Sequence, residues 1–249
     1  MNLEAVELVP GVHWIGALDP GLREFDIILK TANGTTYNAY CVRGRDGVAI
    51  IDTVKESHAG DFFTRLEQVA DYDEIRVIIL NHLEPDHTGA LPELMRRAPR
   101  ARLFISFKAQ MMLKGLLKSE EATQQLAYTT ADTGHSISLG DRTLRFLHTP
   151  FLHWPDTQCT WLEEDGILFS GDVFGCHFCD ARLFNDKTGD FRFSFEYYYQ
   201  HIMRPFRAHV LDALDLIEPL DVRLVAPAHG PILRDAPRNY IQRYRQLAS

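Results

Sequence analysis

Asn81-His82-Leu83-Glu84-Pro85-Asp86-His87 places two imidazoles and two carboxylates within six residues, directly behind the apolar run Val77 to Leu80. The run reads as a buried strand, so the polar cluster occupies the loop at its end, where successive side chains can turn toward one point. In a chain of this composition a chance match to His-x-Glu-x-Asp-His is about two in a thousand, which makes the signal far more specific than most short motifs. The plainer reading is a solvated loop that also caps a helix beginning at Thr88. Against it stands the cost of burying four such groups with no cation to hold.

Three other segments share the setting of a strand that ends in a ligand-capable residue: His153 in Phe151-Leu152-His153-Trp154-Pro155-Asp156, Asp172 in Phe169-Ser170-Gly171-Asp172, and His229 in Pro227-Ala228-His229-Gly230. Singly, each is more often an ordinary capping or satisfied polar group. Together with the first cluster they supply four imidazoles and three carboxylates on what would be one edge of the sheets. Seven donors are too many for one ion. They suit two metals sharing a carboxylate, each with an open position, and imidazole with carboxylate suits iron, manganese or zinc.

Outward from these loops, strands are expected at Val6 to Val9, Val12 to Ala17, Tyr37 to Val42 and Val48 to Asp52, then a helix capped by Ser57 and running to about Ala70. Val77 to Leu80, a helix Thr88 to Arg97, Leu103 to Ser106 and a helix Lys108 to Leu117 make the middle α/β. Strands return at Leu144 to Leu147, Thr160 to Glu163 and Ile167 to Phe169. A long helix from Ser194 to about Ile217, bent at Pro205, a strand Val222 to Ala226 and a helix from Pro237 complete the chain. No repeat or linker divides it, so one domain over residues 1–249 is expected, with an α+β fold of four layers, αββα.

Of the 249 residues 45% are hydrophobic and 24% charged, the mix of a globular protein with a full core. A formal charge of -8 offers no clustered positive surface, so neither nucleic acid nor an anionic membrane is an expected partner. Four cysteines do not make a disulfide framework, and the acidic start resembles no secretory signal, so a cytoplasmic location is expected.

On the motif His82 to His87, and on Gly34-Thr35-Thr36-Tyr37-Asn38-Ala39-Tyr40, Leu152 to Asp156 and Phe169 to Gly175, the chain resembles the metallo-β-lactamase superfamily and specifically the diiron core domain of flavodiiron proteins, over nearly its whole length. The resemblance implies one iron held by His82, Glu84 and His153, another by Asp86, His87 and His229, with Asp172 and an oxo or hydroxo group bridging them. The superfamily's zinc hydrolases usually have His at the position of Glu84. A second anionic ligand there neutralises more ferric charge and lowers the potential of the pair. O₂ or NO is then the expected small ligand. Of Tyr197, Tyr198 and Tyr199, at most two can face the pocket; Tyr197 and Tyr198 are the candidates for a hydrogen bond there.

The resemblance also has gaps. Where the family follows its Phe with His-Gly, this chain has Asp26 and Ile27 after Phe25, so the family's preference between O₂ and NO does not carry over. The family's flavin domain would begin where this chain stops, so no flavin is expected on it, and electrons would come from a separate donor protein. Two functions follow: an oxidoreductase fed in trans, or an O₂ sensor that reports to a signalling partner. The resemblance also implies a homodimer, since family members pair head to tail to bring flavin to iron, a reason for pairing that depends on the flavin domain. The alternative from another class is a binuclear zinc hydrolase. Cys176 and Cys179 read as small apolar residues, with a redox-active dithiol as the sharper alternative, and His177 as an outer neighbour of the metals.

Overall fold

Side chains alternate across a strand, so Val48 and Ile50 of the strand Gly47–Ile51 enter one apolar cluster while Ala49 and Ile51 enter another. Such a strand must be covered on both faces. The computed structural model describes residues 3–25, 29–116 and 128–249. Seven strands form the first sheet, in the spatial order Val6–Val9, Val12–Trp14, Tyr40–Gly44, Gly47–Ile51, Ile75–Ile79, Arg102–Ser106 and Tyr128–Ala131. The first four pair antiparallel and the last three join them in parallel. The second sheet runs Ser136–Ser138, Thr143–His148, Gln158–Leu162, Ile167–Gly171 and Leu224–Pro227, antiparallel except for its last pair.

One apolar cluster mixes residues of both sheets, Tyr40, Ile51 and Ile79 with Phe146, Phe169 and Ala226, so the sheets pack face to face. The outer face of the first sheet meets the helices Ala59–Val69, Leu91–Arg97 and Phe107–Leu116 through Phe62, Leu94 and Leu113. That of the second meets Arg192–Tyr198, Arg207–Ile217 and Pro237–Ala248 through Phe195, Leu214 and Tyr244. The result is the four-layer αββα sandwich. No helix among the described residues is long and apolar enough to cross a membrane.

Departures from the expected elements have local causes. The run Tyr37 to Val42 is broken at Asn38, whose N–H leaves the sheet for the carbonyl of Ala228 at 2.7 Å; Thr35–Tyr37 pairs instead with Ala17–Asp19. Ser57 does not cap a helix: its hydroxyl lies 3.0 Å from His58 Nδ1 within a 3₁₀ turn, Glu56–His58. The expected helix Thr88 to Arg97 splits into Pro85–Thr88 and Leu91–Arg97, because Pro92 has no N–H for the Thr88 carbonyl. Between Tyr198 and Arg207 the long helix loosens into a π turn, Tyr199–Met203, and a 3₁₀ turn containing Pro205, which is its expected bend.

Candidate metal centre

Four strand ends deliver side chains to one place between the sheets. His82, Glu84, His153 and Asp172 form one group and Asp86, His87 and His229 a second, and within each group the donor atoms all lie within 4.8 Å of one another. Glu84 Oε2 is 3.2 Å from both His82 Nε2 and His153 Nε2. His229 Nε2 is 3.1 Å from Asp86 Oδ2, and His87 Nε2 is 3.8 Å from Asp86 Oδ1. Asp172 faces both groups, with Oδ2 at 3.7 Å from His82 and from His153, and Oδ1 at 3.3 Å from His87 and 3.5 Å from His229.

The far nitrogen of two imidazoles is held by a hydrogen bond, and that of a third faces a carboxylate. Asp156 Oδ2 lies 2.9 Å from His82 Nδ1, Thr36 O accepts from His229 Nδ1 at 2.7 Å, and Asp52 Oδ2 lies 3.8 Å from His87 Nδ1. The two hydrogen bonds favour a proton on Nδ1 and turn Nε2 inward, and the Asp52 charge favours the same at His87. Asn81 locks the first loop across the sheets: its N–H donates to Asp52 Oδ1 at 2.7 Å, its Nδ2 to Phe169 O at 3.1 Å, and its Oδ1 accepts from Thr160 Oγ1 at 2.8 Å. Asp156 stood in a quoted motif, but nothing in its spacing linked it to His82. Thr36 likewise stood in a quoted segment with nothing to link it to His229, and Asp52 only ended an expected strand.

Asp86 Oδ1 and Oδ2, His87 Nε2 and Asp172 Oδ1 are buried with no well-aligned hydrogen-bond partner. Such orphaned atoms are costly in a core, and a cation among them would satisfy all four. Without one, protons must balance the carboxylates. Burial pulls His82 down, but hydrogen bonds with Asp156 and Glu84 outweigh it and lift the imidazole to about 10. Burial pushes Glu84 up, and its bonds with His153 and His82 leave it well below the usual carboxylate range. The donors are nitrogen and oxygen throughout, which fits iron, manganese or zinc.

Tyr198 is buried beside the second group, its ring centroid 6.5 Å from His229, and burial holds its phenol protonated. Tyr197 turns the other way, packing on Phe193 at 5.7 Å and His201 at 4.0 Å, so of the two expected tyrosines only Tyr198 stands by the cluster. His177 lies 5.2 Å from the His229 ring with Nδ1 2.9 Å from Thr35 Oγ1, and burial pushes it down to about 3, so it is neutral. Cys176 and Cys179 are free thiols that pack into different clusters, and burial raises Cys179 to about 11. Asp26 and Ile27 lie outside the described residues.

A family model described as ODP family beta lactamase matches residues 35–230. The type A flavoprotein fprA of Rhodobacter capsulatus is 65% identical over 244 residues, covering 98% of this chain and 56% of its own length. A protein of Moorella thermoacetica named nitric oxide reductase is 34% identical over 250 residues, with 98% and 61% covered. The solved structure of rubredoxin oxygen:oxidoreductase from Desulfovibrio gigas superposes with a TM-score of 0.92 at 29% identity, over 98% of this chain and 61% of that one. The chain thus spans 56–61% of the length of these relatives.

Proposed function

Since the chain belongs to the ODP family of β-lactamase-like proteins and matches the core of the flavodiiron proteins, we propose that it holds two irons and reduces O₂ or NO with electrons from a flavin-bearing donor. His82, Glu84 and His153 would ligate one iron and Asp86, His87 and His229 the other, with Asp172 between them. The names of relatives, one an oxygen:oxidoreductase and one a nitric oxide reductase, support this class of substrate. Because the relatives are longer, the proposal concerns the core; a donor on the same polypeptide and a donor on a separate protein serve it equally.

The observation that carries this reading is Glu84, a buried carboxylate 3.2 Å from two imidazoles. A third carboxylate beside Asp86 and Asp172 favours the ferric over the ferrous state, as a pair that gives up electrons requires. When bound, the two irons supply two electrons and open coordination positions to a diatomic substrate. The chain's own part is to place and shield them. Asp156 and Thr36 fix the tautomers of His82 and His229, and Trp154, with its ring 5.1 Å from His82, covers the first group. Tyr198 brings a protonated phenol to the side of the second.

Anaerobic protein loaded with ferrous iron tests the reading. On mixing with O₂ or NO, consumption of the gas together with a ferric absorption band that an added flavin reductase removes, over repeated cycles, is the expected result. Gas recovered unchanged on evacuation marks binding without reduction, the property of a sensor, and overturns the reductase reading. A colourless zinc protein that hydrolyses a chromogenic ester overturns the diiron reading as well.

A further inference from the structure

The segment Gly34 to Tyr40 supplies no ligand, yet it runs alongside the loop that carries His229. We propose that Asn38, with Tyr40 beside it, sets the affinity of one metal position, that of Asp86, His87 and His229, and leaves the other position alone. The inference rests on the two-metal reading above.

Asn38 is buried, and its hydrogen bonds bracket His229. Its Nδ2 donates to Pro227 O and to Gly230 O, both at 2.9 Å, and its backbone N–H donates to Ala228 O at 2.7 Å. Tyr40 adds a bond from its hydroxyl to Pro227 O at 2.6 Å. The amide has no freedom to turn over, because its Oδ1 accepts from Trp14 Nε1 at 2.8 Å; reversed, it would set its oxygen against two carbonyls and its NH₂ against a donor. The segment that leads into the first sheet at Tyr40 therefore holds the ligand loop of the second on both sides of the imidazole. A displaced loop would carry His229 Nε2 away from Asp86.

None of these bonds reaches the other group. His82 is held by Asp156. The turn carrying His153 is closed on itself, with Thr157 Oγ1 donating to Thr149 O at 2.6 Å and accepting from Leu152 N at 3.0 Å. Asn38 and Tyr40 are therefore positioning residues for a single metal, which a general role in folding would not make them.

Titration of apo-protein with Co(II), followed by visible absorption, is the test. Wild type is expected to take two equivalents. Tyr40→Phe, which removes one bond, should weaken one equivalent about tenfold, and Asn38→Asp, which puts a carboxylate oxygen against two carbonyls, by about 100-fold, the upper end for such outer partners. The other equivalent should bind as in wild type, with the same absorption. Equal weakening of both equivalents overturns the inference, as does a lowered apo Tm with unchanged affinities. If Asn38→Asp does not fold, Tyr40→Phe decides alone. A wild type that takes one equivalent overturns instead the two-metal reading beneath.

Discussion

His82 Nδ1 and the Asp156 carboxylate meet at 2.9 Å with both side chains closed off from solvent. The same oxygen accepts from the Leu83 N–H at 2.8 Å, so the carboxylate is fixed before it fixes the imidazole. Asp156→Asn keeps the size and loses the charge that makes Nε2 a stronger donor. Its expected effect is a 10–100-fold loss of affinity at the position of His82, Glu84 and His153. Competition with a chelator measures it, and an unchanged affinity there would show that the pair only fills space.

Glu84→His recreates the ligand usual in the zinc hydrolases of this fold. With one anion fewer, the ferric state loses stabilisation, so the reduction potential of the iron pair should rise and the share of zinc in protein made with both metals should increase. Redox titration and metal analysis give the two readings. A potential that falls would contradict the role argued for Glu84.

The apo-protein should lose stability as the solution turns alkaline. His82 is raised from 6.5 to about 10, and His87 and His229 are also raised, burial opposing and Asp86 prevailing, through its charge at His87 and its hydrogen bond at His229. A histidine whose folded pKa exceeds its unfolded value adds stability in full below the unfolded pKa and loses it as pH climbs through the folded one. For His82 that window runs from 6.5 to about 10. Urea midpoints of apo-protein should fall across it. Bound iron displaces those protons, so loading at pH 7 should release protons and flatten the decline. An apo midpoint that stays level would remove the argument.

Gly230→Ala should damage the loop next to His229. The residue has φ +79°, and a Cβ there would stand 2.6 Å from Cys176 O and 2.7 Å from its Sγ. A left-handed residue in so tight a place costs on the order of 1–3 kcal/mol. Denaturant unfolding reads the stability loss, and metal analysis should show it falling on the position that includes His229.

Much of the framework was legible because it depends on local pattern. The strand Val6–Val9 and the helix opening at Pro237 lie where alternation and proline put them. The break at Asn38 and the failure of Ser57 to cap a helix were not legible. In both, a distant or adjacent polar partner, Ala228 O or His58 Nδ1, took the group that local rules assign to a strand or a cap. Likewise three consecutive tyrosines cannot reveal which ring turns inward; Tyr197 packs on Phe193 and His201 and Tyr199 on Tyr244, which leaves that place to Tyr198.

By itself the sequence determined that a dense run of metal-type donors, His82 to His87, follows a buried strand, since contiguity alone brings those side chains together. Only the tertiary structure decided that His153, Asp172 and His229 close around the same point, and that Asp156, Asp52 and Thr36 stand behind the imidazoles. Thr36 and His229 are 193 positions apart, and no spacing along a chain encodes such a meeting. It arises because two twisted sheets must bury their apolar faces on each other, which aligns strand ends from distant parts of the chain along one edge.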